Sequence, residues 1–284
     1  MFARYASSSL FALALAAGAS GCAKPRTAAA TQPTPAAFDP AQSDPKALAV
    51  VDAGLEKLGG YAKWEAIKEL KFSVAYKDGD VKKAAFDHAW DRWNGRHHWV
   101  TVDMATTTTG KAEDVKYMEV KHDLFDKDKK PWAAYDGTPL ATRADGVEQA
   151  KRAAESLEQD LYFFAMIYKL RDPGVKLSVD NAEVTVADSE ACKPSCTSIK
   201  VAFDPAVGTD SWIVNFNNET KLPEVIEQQR GAGRIGYQIQ GWSDAGGLKW
   251  PTKLQNLGLK SEIIEFSDIS VGDPDDSTYV PTLQ

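Results

Sequence analysis

The chain is short of the residues that most directly announce chemistry. It has three cysteines and four histidines in 284 residues. It carries no G-x-S-x-G elbow and no H-E-x-x-H pair, so neither a serine hydrolase nor a zinc site of familiar spacing is written in it. The glycines of RGAGRIGYQ (230–238) miss the dinucleotide-binding pattern and read as a bend beside a strand. Positive charge is scarce too: 33 Lys and Arg against 40 Asp and Glu leave a net charge of −7. That removes the clustered cation that nucleic acid requires. Long apolar runs are nearly absent. The one at Leu10–Ala17 (LFALALAA) falls well short of the roughly 20 apolar residues that cross a bilayer. No internal repeat is present.

What is there begins with that short run. It follows a single charge, Arg4, and precedes small residues, which is the layout of an export signal over residues 1–21. The tetrapeptide ASGC, Ala19 to Cys22, resembles the lipobox of bacterial lipoproteins, with alanine at position 19 where leucine is most frequent. The resemblance implies that Cys22 becomes the mature N-terminus and carries a diacylglycerol thioether and an amide-linked fatty acid such as palmitate. Each buried methylene then contributes about 0.8 kcal/mol to membrane anchoring. A plain cleavage site with a chance cysteine is the alternative. Residues 22–45, rich in Ala, Pro, Thr and Gln, read as a flexible tether. No aspartate follows Cys22, which favours an outer-membrane anchor facing the periplasm.

The remainder, 46–284, reads as one domain. Asp44-Pro45 is a helix start, Leu48, Val51, Leu55 and Leu58 recur at helical spacing, and Gly59-Gly60 ends the segment. A short helical piece follows over 61–68. Asp78-Gly79 and Asn94-Gly95 then divide a three-strand meander. A two-residue turn at Asn94-Gly95 pairs Trp90 with Trp99 and Asp91 with His98, and puts Phe86, His88, Trp90, Arg92, His97 and Trp99 on one face. Two strands are expected over 115–125 and 131–135, then a helix over 145–170 that ends at Pro173-Gly174. Further strands are expected at 175–179, 183–187, 197–203, 211–216, 222–229, 234–242, 248–257 and 261–270. The fold class is mainly β (α+β): a large antiparallel sheet with one or two helices covering a face.

Several stretches carry a family resemblance. GLEKLGGYAKWEAIKELKFS, GWSDAGGLKWPTKLQ and EIIEFSDISVGDPDDSTYVP resemble the first helix and strand, the late hairpin and the final strand of the lipoprotein-carrier superfamily typified by LolA and LolB. YFFAMIYKLRDPGVKL is closer to an uncharacterised family of exported bacterial proteins. The resemblance implies an unclosed half-barrel whose concave side is covered by helices and holds acyl chains. The lining is then expected at Trp90 and Trp99 and along the helix at Tyr162, Phe163, Phe164, Met166, Ile167 and Tyr168. The bland alternative is that these aromatics fill the hollow and leave a solid core.

Two smaller features remain. Cys192 and Cys196 in EACKPSCTS, in an oxidising envelope, read as a disulfide closing a tight loop. Asp91 opposite His98 could begin a metal site, although cross-strand pairing without metal is the commoner use of such residues. No cofactor and no catalytic constellation is expected. The leading expectation is a lipid-anchored envelope protein that binds an acyl chain or another hydrophobic ligand, with membrane contact through its N-terminal lipid. The alternatives are a scaffold lipoprotein with a solid core and, further back, a metal-dependent hydrolase.

Overall fold

The computed structural model describes residues 38–281 except 127, 187–189, 205–210 and 231–232. Cys22, the signal segment and the tether up to residue 37 lie outside the described residues. Helix α1 (Pro45–Lys57) starts where Asp44 accepts a hydrogen bond from the Lys46 amide, and it buries Ala47, Val51, Gly54 and Leu55. Its Gly54 is required by contact, because a Cβ there would collide with the Phe216 ring. The short α2 (Tyr61–Ala66) brings Trp64 into the core.

The meander follows as β1 (Glu69–Asp78), β2 (Val81–Asp91) and β3 (Arg96–Val102). After it come β4 (Tyr117–Asp123), β5 (Trp132–Tyr135) and the two-residue β6 (Thr138–Pro139). The long α3 (Arg143–Phe164) breaks at Ala165 into a final turn, α4 (Met166–Lys169). The second half contains β7 (Val175–Val184), β8 (Cys196–Phe203), β9 (Ser211–Asn217), β10 (Pro223–Arg230) and β11 (Gly233–Ile239). A hairpin of β12 (Trp242–Ala245) and β13 (Leu248–Pro251) precedes β14 (Lys253–Asn256), β15 (Glu262–Gly272) and the short α5 (Asp276–Tyr279).

Among the described residues, thirteen strands form one antiparallel sheet in the order β6-β5-β4-β3-β2-β1-β15-β14-β11-β10-β9-β8-β7, while β12 and β13 pair separately. Its end strands β6 and β7 do not pair with each other, so the sheet is an open one. The mainly-β expectation holds, and the alternation of buried residues along β1 places Leu70, Phe72 and Val74 on the inner face.

Three expectations are corrected. The β2–β3 hairpin pairs Trp90 with His97 and Asp91 with Arg96, not with Trp99 and His98. The cause is Asp91, whose carboxylate accepts from Asn94 Nδ2 (2.8 Å) and Arg96 Nε (2.7 Å) and so stabilises a four-residue turn. Because the shift is two residues, every side chain keeps its face. At Asp180-Asn181 the strand does not turn back but continues as β7 through a register irregularity. The runs at 234–242 and 248–257 are each interrupted, at Gln240-Gly241 and at Thr252, which creates the separate β12–β13 hairpin.

The apolar end of α3 and Met166, Ile167 and Tyr168 of α4 fill the middle of the sheet's inner face. Phe164 stacks between Phe72 (4.4 Å between ring centroids) and Trp250 (4.9 Å). Tyr168 stacks on Trp64 and donates its hydroxyl to the Lys249 carbonyl at 2.6 Å. Phe163 sets its edge against Trp212 and Tyr237. Each such aromatic contact contributes about 0.5–1.5 kcal/mol beyond the area it buries. Phe164→Ala is therefore expected to lower unfolding free energy by about 3–5 kcal/mol, measured by urea denaturation. Phe164→Asp, which buries a charge in the same place, should give no folded protein.

Candidate functional site

Four neighbouring strands each place one polar residue on the inner face beneath α3. Phe72 of β1 lies opposite His88 of β2, and His97 of β3 lies opposite His122 of β4. Tyr76 sits two positions further along the same side of β1. Above them α3 presents a buried stripe of Ala153, Leu157, Asp160, Leu161 and Phe164. The 3.6-residue helical period puts Asp160 in line with those apolar neighbours, and only 1% of it is exposed.

The Asp160 carboxylate is met by three donors. Tyr76 donates its hydroxyl to Oδ1, His88 Nε2 lies 2.9 Å from Oδ2, and Ser156 donates to Oδ2 at 3.2 Å. Trp99 supports Ser156 by donating its indole N–H to Oγ at 3.3 Å. From His88 the chain of contacts continues outward: Nδ1 lies 3.1 Å from His97 Nε2, and His97 Nδ1 lies 2.9 Å from His122 Nε2. The His88 and His97 rings are stacked 5.3 Å apart. Three imidazoles thus connect a buried carboxylate to a side chain that is only half-buried.

Burial and the neighbouring imidazoles push the His97 pKa well below the ordinary histidine range. Burial likewise lowers His122 to about 4. Both rings are neutral at pH 7. Burial, followed by the nearby Asp160 charge, raises Tyr76 well above the usual phenol value, so its hydroxyl remains a donor.

His122 lines a cleft of about 410 Å³ between α3, at Val147, Ala150 and Ala154, and the β4–β5 connection, at Leu124 and Pro131. A second cleft of about 350 Å³ continues along α3 past Leu157 and Leu161 to Trp90, Tyr162, Val175 and Phe203. The two share Leu124, Ala154 and Glu158, and so adjoin. Together they form a groove with an apolar floor. The rim of the first cleft carries Asp123, Asp126, Glu155 and Glu158 against Lys129 and Lys151. In the second cleft the Trp90 indole nitrogen is buried without a hydrogen-bond partner among the described residues.

Of the residues expected to line a ligand hollow, Trp90 and Tyr162 do line this groove. Phe163, Phe164, Met166, Ile167 and Tyr168 are instead buried in the solid core, and Trp99 serves Ser156. Asp91 and His98 are not brought together. Burial works to raise the Asp91 pKa, but hydrogen bonds from Asn94 and Arg96 outweigh it and hold the carboxyl below its usual value. His98 Nε2 lies 2.9 Å from Glu119. No group of three His, Cys, Asp or Glu side chains is arranged to hold a metal among the described residues. Cys192 and Cys196 are joined, with Cα atoms 5.1 Å apart, and pack against Val225. Asp160 carried one readable signal: an acid at position 160 interrupts a stripe that is otherwise apolar.

No family model matches the chain, and neither does any curated protein sequence. Among solved structures it is similar to a DUF1329 family protein from Desulfovibrio piger, at 11% identity and a TM-score of 0.45, over 84% of this chain and 98% of that one. It is also similar to a LolA superfamily protein from Nitrosomonas europaea, at 12% identity and a TM-score of 0.42, over 83% and 97% of the two chains.

The lowered histidines make stability depend on pH. Between about pH 6.5, the unfolded value, and about pH 4, His122 binds a proton in the unfolded chain but not in the fold. Stability is therefore fully present near pH 7 and falls as pH drops through that window, by about 1.4 kcal/mol per pH unit for each such proton. His97 acts in the same direction. Thermal unfolding from pH 7.5 to 4 should show this loss, and His122→Gln should flatten the profile by close to one proton. An unchanged slope in that variant would mean that His122 does not titrate in this way.

Proposed function

We propose that this chain is a lipid-anchored protein of the bacterial cell envelope that holds an acyl chain or a similar hydrophobic ligand in the groove along α3. The observation that carries the reading is the groove itself: two adjoining clefts, apolar inside and charged at the rim, extend along one helix. A narrow apolar channel beside a helix takes up an extended hydrocarbon by the same burial that drives core formation, about 25 cal/mol per Å². The anchor is supported by the sequence around Cys22, which would keep the groove close to the bilayer from which a ligand comes. No helix among the described residues is long and apolar enough to cross a membrane.

A second reading has an observation of its own. The centre of the inner face is filled by Phe164, Tyr168 and Trp250, as a scaffold lipoprotein with a solid core requires. In that reading the clefts beside α3 are surface relief and hold nothing.

The two separate on one substitution. Ala154 borders both clefts, so Ala154→Trp should block the groove where they join while leaving the core intact. Residues 22–284 with Cys22→Ser, titrated with a fluorescent long-chain alcohol, should bind it, and Ala154→Trp should weaken binding at least tenfold. Failure of the parent protein to bind would favour the scaffold.

A further inference from the structure

We propose that the histidine relay holds His122 Nδ1 as a hydrogen-bond acceptor facing the groove, and that the groove's ligand is an amphiphile with a donating, cationic head such as a primary alkylammonium. The inference rests on the groove reading above and adds the head group to it.

The polarity of the relay follows from counting protons. A carboxylate only accepts hydrogen bonds, so the His88 nitrogen facing Asp160, Nε2, carries the proton. With each of the three rings neutral, as the proposal requires, His88 Nδ1 is bare and accepts from His97 Nε2–H. His97 Nδ1 is bare in turn and accepts from His122 Nε2–H. The distances of 2.9, 3.1 and 2.9 Å suit all three hydrogen bonds. One nitrogen remains, His122 Nδ1, with a lone pair and no partner among the described residues, on a ring that lines the cleft. The buried charge of Asp160 therefore sets the chemistry offered at the surface by the far end of the relay.

The rim adds the charge preference. Lys129 Nζ lies 3.2 Å from Asp123 and Lys151 Nζ lies 3.8 Å from Glu155. Among the described residues, Asp126 and Glu158 form no ion pair of this kind. A carboxylate head would meet a lone pair and two acids without an ion pair among the described residues. An alkylammonium head offers three donors to the same groups while its chain lies along Leu124, Leu157 and Leu161.

The tautomers can be read directly. Two-bond proton–nitrogen correlation spectra of the uniformly nitrogen-15-labelled protein at pH 7.5 should show His88, His97 and His122 all protonated on Nε2. In Asp160→Asn the amide can donate to His88 Nε2, which reverses every bond and protonates Nδ1 on all three rings. Nδ1 protonation of His122 in the parent protein would overturn the proposal, and this spectrum decides the relay even where Asp160→Asn does not fold. For the head group, four probes of equal chain length are titrated below micellar concentration: tetradecylamine, tetradecanol, tetradecyltrimethylammonium and myristate. The amine should bind most tightly, at least tenfold more so than the trimethylammonium, which has charge but no donor, and than myristate. Equal affinities would overturn the head-group assignment and leave the groove reading standing. Binding of none would overturn the groove reading and the head group with it.

Discussion

A carboxylate buried to 1% exposure is tolerable only where donors converge on it, and Asp160 is met by Tyr76, His88 and Ser156. Without them, the desolvation of that charge would oppose the docking of α3 on the sheet. With them, the helix acquires a polar fixing point in the midst of an apolar stripe, and its rotation about its own axis is set. Everything nearby follows from that rotation. Phe164 is aimed into the core, Leu157 and Leu161 are buried along the floor of the groove, and Ala150 and Ala154 border it.

The aromatic core beside Asp160 completes the docking. Phe164 lies between rings from β1 and β13, and Tyr168 satisfies its hydroxyl on the backbone of the β12–β13 hairpin's second strand. The helix thus joins the large sheet to the separate β12–β13 hairpin. Filling the centre of the inner face displaces open volume to the flank of α3, where small residues at 150 and 154 leave room. The groove therefore results from where the large side chains end. Its two parts differ in character: one is bordered by His122 and charged residues, the other by Trp90, Tyr162 and Phe203.

Much of the fold was legible because it depends on local chemistry. Asp44 followed by Pro45 caps α1, the strand alternation of β1 and β2 marks their faces, and Pro173-Gly174 closes the α3–α4 region. The hairpin register failed for an equally local reason, since the Asp91 side chain competes for the turn. That interaction depends on Arg96 coming back across the hairpin, which the pattern of apolar residues does not specify. The site was less legible. The histidines stood out by their rarity, but grouping them by sequence proximity joined His98 to Asp91. The fold instead joins His97 to His122, 25 residues away, and His88 to Asp160, 72 residues away.

The sequence by itself determined the element types, the inward and outward faces of the meander, and the disulfide, because each follows from period, turn chemistry or a spacing of four residues. Only the tertiary structure decided that the FFAMIY part of LYFFAMIY is core, that the open volume lies beside α3, and that three histidines form one relay. Those outcomes depend on the rotation of α3 over the sheet, and that rotation is fixed by contacts between residues distant in the chain.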